Sequence, residues 1–503
     1  MRLAPRLALI LATLAVLVTA WIADDIFEEL PHLEDEYAYI WQAQAIASGH
    51  LTLPSPPESK SFLVPFVVDY EGQRFGKYPL GWPILLAVGE RFDLRIWINP
   101  LLAGLGVWLI FRLGQKIFSD VVGLIAAGLT VTSPFFLMNS GVLLAHPWGL
   151  VLSAAFALFW LDVVNVRSLI PGWLSTMGAG LTLGVLIVSR PLTALGVAIP
   201  FGIHGLILLM RSDIVTRKRV LITGLIVLIV GSLHYAWQYA LTGDPLLNPY
   251  TLWWSYDKLG FGAGYGVTEQ GHNLTLAWHQ TKFSLNAGMS DLFGWGKISW
   301  IFIPLGLWAA RKSKASWLVS AVFPTLIVIY GAYWVGAWLY GPRYYYEALP
   351  GIVLMTAVGI AYTAGWPFIP GNRYQRKKGW NRWRPLTVMG MVILLVLANL
   401  IFYLPGRLGS MRGLFGVEDS QLAPFLTESA QGLTPAIIVV HTDDWREYAV
   451  LLELSDPFLM TPFIFVLGRG EEPDARAAAY FPDRDVWHYY PDDPNRFYTA
   501  ARP

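Results

Sequence analysis

The stretch LALILATLAVLVTAWIADDIFEELPHLEDEYAYIW, residues 7–41, holds the key to the fold. Residues 7–23 are apolar and close to the about 20 residues that a helix needs to cross a bilayer. Acid follows at once: Asp24, Asp25, Glu28, Glu29, then Glu34-Asp35-Glu36. Arg2 and Arg6 precede the run. Basic residues stay on the inner side of a membrane, so this span emerges outward into an acidic segment.

The rest of the chain agrees. Of 503 residues, 55% are hydrophobic and 14% charged, and the mean hydropathy is +0.47. Soluble domains carry about 25% charged residues. Disorder, collagen and a disulfide scaffold are excluded, and a polytopic membrane protein remains. There is no cysteine, hence no disulfide, thiolate metal site or cysteine nucleophile. A net charge of +1 gives no sign of a nucleic-acid partner.

Eleven apolar segments are candidate spans: 7–23, 96–111, 119–138, 147–164, 172–190, 192–210, 219–241, 298–310, 315–336, 346–366 and 385–404. The eighth is short. Ile170-Pro171-Gly172 and Arg190-Pro191 are the clearest breaks. With residues 1–6 inside, the inner loops hold 18 of the 36 basic residues and only Asp120, Asp162 and Asp213 of the 35 acids. The inner side then carries about +15 and the outer side about −14. Residues 1–23 also have a weak signal-peptide cleavage pattern at Val18-Thr19-Ala20, but a retained helix suits the length better.

Three long segments face outward: 24–95, 242–297 and 405–503. The last reads as a small α/β domain. Strands are expected at Ala436–Val440 and Phe463–Leu467, and helices at Trp445–Leu454 and Asp474–Tyr480. The expected architecture is thus an all-α membrane domain over 1–404 with a small extracytoplasmic α/β domain over 405–503.

Asp35, Tyr39 and Gln42 share one helix face. By itself the acidic turn also suits an interfacial helix. The first outer loop ends in Arg74-Phe-Gly-Lys77-Tyr78-Pro79-Leu80-Gly81-Trp82-Pro83, a basic residue before a rigid aromatic turn. Taken alone, Lys77 suits a lysine reaching for the headgroups. Pro342-Arg343-Tyr344 and Ala348-Leu349-Pro350 stand at the outer end of a late span.

Together these features resemble the GT-C glycosyltransferases, and more narrowly the polyprenyl-phosphate-sugar enzymes related to protein O-mannosyltransferases and lipid A aminoarabinose transferases. That family has an acidic pair after its first span, as Asp35-Glu36 is here. It closes its first loop with a Lys-Pro-Pro-Leu-like turn, which Lys77-Tyr78-Pro79-Leu80 is similar to, with Tyr78 as a departure. Arg343-Tyr344 with Leu349-Pro350 resembles its Arg-Tyr…Leu-Pro element. The resemblance covers about residues 1–405.

What the resemblance implies is an inverting transfer of a hexosyl or pentosyl group from a polyprenyl phosphate to an acceptor hydroxyl on a glycan, lipid or protein. The leaving phosphate departs without a proton, so one carboxylate suffices, unlike the pair a glycosidase needs. Asp35 is the expected base and Glu36 its orienter or substitute. Lys77, Arg343 and Arg190 are the expected phosphate ligands, because charge developing on the phosphate needs fixed cations. A basic residue at membrane depth, as Arg190 is, is expensive; it also suits a helix-end or structural contact. Tyr39, Tyr78, His146 and Tyr344 are candidate substrate contacts.

The second outer loop adds Glu269 and His272 to these, within a Gly- and Trp-rich stretch suited to a lid or to an interfacial loop. His272 and His279, seven apart, permit a divalent cation without specifying one; no cofactor is expected. Asp443-Asp444 reads as a helix cap. No Walker A loop, Rossmann fingerprint or HExxH is present. A transporter would need polar groups in the central thirds of several spans, which are almost uniformly apolar. A non-catalytic lipid-binding scaffold is the other alternative. No endoplasmic-reticulum retention signal is seen, which points to a bacterial inner or plasma membrane with the N-terminus cytoplasmic.

Overall fold

The computed structural model describes residues 3–165, 172–368 and 382–502. Arg167, the Ile170-Pro171 break and the basic residues between Arg373 and Lys378 lie outside the described residues. The chain is largely helical: α1 (Leu3–Trp21), α2 (Glu34–Ala47), α3 (Gly81–Arg91), α4 (Ile98–Ile117), α5 (Asp120–Val131), α6 (Pro134–Ser140), α7 (His146–Val163), α8 (Gly172–Ile187), α9 (Pro191–Arg211), α10 (Ile214–Gly231), α11 (Leu233–Thr242), α12 (Pro249–Trp253), α13 (Leu274–Asp291), α14 (Phe302–Ala309), α15 (Lys314–Gly331), α16 (Leu349–Ala364) and α17 (Arg384–Ala398).

Among the described residues eight helical segments are long and apolar enough to cross a membrane, or ten if each of two bent pairs is one crossing. The protein is a multi-pass membrane protein. Three of the eleven expected spans differ in form. Residues 119–138 are α5 and α6, bent by 62° at Ser133-Pro134. The break is satisfied locally: Ser133 Oγ accepts from Phe136 N and donates to the Leu292 carbonyl, and Asn399 Nδ2 donates to the Thr132 carbonyl. Residues 298–310 are the second arm of a pair bent by 97°, whose first arm is α13. Sequence analysis assigns α13 to the loop 242–297, because its Trp, His, Lys and Asn residues interrupt any apolar run. Residues 172–190 contain α8, only 16 residues long.

The most enclosed span is the one running from Arg343 through α16, 89% buried within the protein. Its apolar residues go all round, as a helix surrounded by other helices requires. Pro350 sits in its first turn, and Gly365 ends it at φ 74°, a left-handed cap that favours glycine. It packs on α4, α5, α7, α14, α15 and α17. Small residues set the closest approach, as is usual where helices meet in a membrane. A Cβ at Gly306 would collide with the Met355 carbonyl, and one at Gly359 with the Phe302 carbonyl.

Outside the spans lie two sheets. The first outer loop carries β1 (Leu53–Pro54), β2 (Val67–Tyr70) and β3 (Gln73–Gly76), antiparallel in the order β1-β3-β2. The C-terminal segment carries β4 (Ala436–Val440), β5 (Phe463–Leu467), β6 (Asp485–Tyr489) and β7 (Phe497–Tyr498), in the order β5-β4-β6-β7. β4 is parallel to β5 and β6, and β7 is antiparallel to β6. The expected strands β4 and β5 are present as read. The helix expected from Trp445 is α-helical to Ala449 and 3-10 over Val450–Leu454. Asp444 caps it, its Oδ1 accepting from Arg446 N at 3.0 Å. β6 and β7 escaped the sequence reading because neither has a continuous apolar run.

The C-terminal sheet and the first outer loop form one layer. Leu467 N donates to the Ser61 carbonyl at 2.8 Å, and Tyr37 and Trp41 of α2 share an apolar cluster with Ala449. Arg95, at the start of the second span, joins Glu453 at 2.6 Å and Glu90 at 3.4 Å.

Gly306→Ala is expected to push α14 off α16 and destabilise the protein by about 1–3 kcal/mol. Gly202→Ala, whose Cβ meets nothing within 4 Å, is expected to be neutral or mildly stabilising. Thermal midpoints of both variants in detergent check this; equal midpoints would refute close α14–α16 contact as a stability determinant.

Candidate functional site

The site forms where three segments meet at one end of the spans. The N-terminus of α2 brings Asp35 and Glu36. The turn before α3 brings Lys77 and Tyr78. The 3-10 turn Arg343–Ala348 before α16 brings Arg343, Tyr344 and Glu347. Three acids in the first turn of α2 suit its positive end.

Asp35 is the half-open carboxylate of this turn. It accepts a short hydrogen bond from the Tyr78 hydroxyl and faces Arg343 Nη2 at 3.6 Å. Burial first, then the Asp35 charge, push the Tyr78 hydroxyl well above its ordinary value, so it remains a donor. Arg343 Nη1 is buried with no hydrogen-bond partner among the described residues. Tyr39 packs on Tyr78 at 4.6 Å between ring centres, on the helix face that sequence spacing assigned to it. Tyr344 stacks on Tyr330 at 4.5 Å.

Glu36 points the other way. Adjacent helix positions diverge by about 100°. Its carboxylate is fully buried and accepts from three backbone amides: His32 N and Leu33 N at 3.1 Å, and Leu143 N at 2.7 Å. Burial pushes its pKa up to about 7, against the pull of those three bonds. The turn it grips is also held by Trp82 Nε1, donating to the Leu143 carbonyl at 3.1 Å, and by Asn99 Nδ2, donating to the Leu144 carbonyl at 3.0 Å.

Lys77 is buried and occupied. Its ammonium lies 3.1 Å from Asp257 Oδ2 of the second outer loop. The Phe66, Tyr250 and Trp254 rings surround it, with centres 3.5, 4.8 and 5.1 Å away. Burial lowers its pKa and Asp257 opposes that shift. Asp257 Oδ1 in turn accepts from the Tyr333 hydroxyl at 2.6 Å and Trp334 Nε1 at 3.1 Å.

Arg190 Nε lies 3.0 Å from Glu347 Oε1, and its Nη2 reaches the Tyr330 hydroxyl at 3.4 Å. His146 Nδ1 is 3.8 Å from the same Glu347 oxygen. Arg190 therefore has a carboxylate partner within the protein, which favours the structural contact over the phosphate ligand. The sequence reading missed Glu347 and Asp257. Glu347 is the single acid between Arg343 and Trp366. A carboxylate in an apolar span requires a partner, and Arg190 is a charge at similar depth; that pairing was the available signal. Asp257 had no comparable signal, lying in a long loop.

Glu269 and His272 do not join the cluster. His272 Nε2 bonds the Gly331 carbonyl at 2.9 Å, and its ring stacks on Phe261 at 5.2 Å. Glu269 and His279 are exposed. Among the described residues no three His, Cys, Asp or Glu side chains are grouped as metal ligands.

No family model matches the chain, and no curated protein is similar to it in sequence. Solved structures are similar in fold. ArnT from Cupriavidus metallidurans bound to undecaprenyl phosphate superposes with a TM-score of 0.57 at 13% identity, over 95% of this chain and 89% of that one. The archaeal oligosaccharyltransferase AglB from Archaeoglobus fulgidus, in complex with an inhibitory peptide and a dolichol-phosphate, gives 0.53 at 11%, over 94% and 69%. The fold is of the GT-C type, as the resemblance implied.

The Glu36 geometry gives a signed expectation. Its folded pKa is above its ordinary value of 4.5, so its contribution to stability is full below that value and is lost as pH rises through about 7. Glu36→Gln is expected to lose about 1–3 kcal/mol, since an amide group turns one acceptor into a donor facing backbone N–H groups. The deficit narrows as pH rises from about 5 to about 8. Thermal midpoints across that range check both; a constant deficit would place the pH dependence elsewhere.

Proposed function

We propose that this protein is an inverting glycosyltransferase. It moves a sugar from a polyprenyl-phosphate donor to an acceptor hydroxyl at the outer face of the membrane. The observation that carries this reading is the pairing of Asp35, half-open and oriented by Tyr78, with Arg343, whose Nη1 is buried and unbonded among the described residues. One carboxylate and one guanidinium at the mouth of an apolar bundle match what the reaction demands. The fold neighbours, one bound to undecaprenyl phosphate and one to a dolichol-phosphate, support a lipid-phosphate donor.

The acceptor oxygen attacks the anomeric carbon from the side opposite the phosphate. Asp35 takes the acceptor proton as the new bond forms. The bond from the anomeric carbon to the phosphate oxygen breaks, and its electron pair leaves with the polyprenyl phosphate. Arg343 meets the growing phosphate charge with a fork able to bond two oxygens. Lys77 stays paired with Asp257 and adds fixed positive charge beside the site. Glu36 acts as a positioning residue: it fixes the first turn of α2 to the 141–145 turn and so fixes Asp35. Arg190 and Glu347 neutralise each other beneath the site. Tyr39 and Tyr344 supply aromatic walls for the sugar. By the charge asymmetry, the N-terminus lies in the cytoplasm and the C-terminal domain outside.

Asp35→Asn is expected to lower turnover by at least about a hundredfold, the scale of general-base catalysis, with donor binding kept. Arg343→Ala is expected to weaken donor binding as well as turnover. Release of polyprenyl phosphate by purified protein in lipid, over a panel of labelled donors, measures both. NMR of the product should show the anomer opposite to the donor's. Retention of configuration, or full turnover by Asp35→Asn, would overturn the mechanism.

A further inference from the structure

Beside the site, a groove of about 510 Å³ opens to solvent between the first outer loop, the Trp253-Trp254 step and the C-terminal domain. That volume is in the range of small-ligand sites. Lys60 and Arg469 stand on its rim, both exposed. Arg469 Nη2 donates to the Lys60 carbonyl at 3.4 Å, which holds the guanidinium against the Lys60 backbone. Neither side chain has a carboxylate partner among the described residues. The other charges lining the groove cancel: Arg74 Nε is 3.2 Å from Asp69 Oδ1. A cleft lined by uncompensated charge of one sign focuses its field on an incoming anion.

Part of the lining is aromatic. Trp253 and Trp254 are half-buried and line the groove. Both meet the Phe66 ring edge-on, at 5.7 and 5.3 Å. Phe66 and Trp254 are also two walls of the Lys77 cage. The groove therefore shares the Trp254 ring with the cage around Lys77. Indole faces suit the apolar C–H face of a sugar ring, and the rim cations suit a carboxylate or phosphate borne by that sugar.

We infer that this groove is a subsite for an acceptor saccharide carrying negative charge, held by Trp253 and Trp254 and by Lys60 and Arg469. The inference rests on the glycosyl-transfer reading for the word acceptor; the binding itself does not depend on it.

The test uses the full-length protein in lipid nanodiscs, titrated with tetragalacturonate, maltotetraose and tetra-aspartate. Tetragalacturonate is expected to bind about tenfold more tightly than maltotetraose, the scale of one added charge contact. The Lys60→Ala/Arg469→Ala double variant is expected to lose that difference. Its polyprenyl-phosphate release to water is expected to be unchanged, since both residues lie outside the donor site. Equal binding of the two saccharides, or an unaffected double variant, would overturn the subsite. Tetra-aspartate binding as tightly as tetragalacturonate would overturn its assignment to a saccharide. Failure of the glycosyl-transfer reading shows separately, as absence of donor-dependent release from wild type with saccharide binding intact.

Discussion

The buried carboxylate of Glu36 is the constraint on which this end of the molecule depends. It joins two segments that no secondary structure connects: the entry to α2 and the turn between α6 and α7. A buried carboxylate without donors costs far more than a hydrogen bond gains, so this geometry is nearly all-or-none. Three amides satisfy it. Trp82 and Asn99 add α3 and α4 to the same turn. Farther along, Asn139 Nδ2 donates to the Tyr340 carbonyl at 2.7 Å, and Ser140 meets the Tyr346 hydroxyl at 3.0 Å. The chain on either side of Arg343 is thereby tied to the same scaffold as Asp35. Two residues more than 300 positions apart in sequence meet because each is fixed to the α6–α7 region.

Charge placement follows the same economy of partners. Three cations approach the membrane boundary here, and each has its own carboxylate: Arg343 with Asp35, Lys77 with Asp257, Arg190 with Glu347. The pairs differ in enclosure. Arg190–Glu347 and Lys77–Asp257 are nearly closed, whereas the Asp35 side chain is 25% exposed. Breaking an enclosed pair leaves a bare charge in a poor dielectric, so such pairs hold structure. The open, longer Asp35–Arg343 contact is the one that an incoming group can separate at modest cost. That contrast, more than any single distance, sets Asp35 and Arg343 apart as the pair we propose to react.

Much of this was legible in the sequence, for reasons that differ by residue. The spans were visible because a bilayer admits only long apolar helices. Asp35, Lys77, Tyr78 and Arg343 stood out as polar residues at span boundaries, and only the family resemblance gave them candidate roles. β4 and β5 showed as apolar runs. What stayed hidden was pairing across the fold. Nothing near Asp257 in sequence announces Lys77, and the one hint of the Arg190–Glu347 pair is a lone acid in an apolar span. The choice between Asp35 and Glu36 was also hidden, since it depends on which face of α2 meets the 141–145 turn. The bends at Ser133 and between α13 and α14 were hidden because an apolar stretch reads alike whether straight or broken.

The outer layer explains why that choice of face is stable. One flank of α2 presents Tyr37 and Trp41 to the C-terminal domain, with Tyr37 edge-on to Trp445 at 6.2 Å. Glu34 faces Arg446 Nη2 at 3.6 Å, and the Arg446 guanidinium lies over the Trp445 ring at 4.8 Å. Rotating α2 by one residue would exchange Glu36 for Asp35 at the 141–145 turn. It would also carry Tyr37 and Trp41 away from their apolar cluster and Glu34 away from Arg446. The C-terminal domain thus opposes that rotation from a side remote from Arg343. Glu36 and the domain grip α2 from different directions, and the direction left open is the one in which Asp35 points.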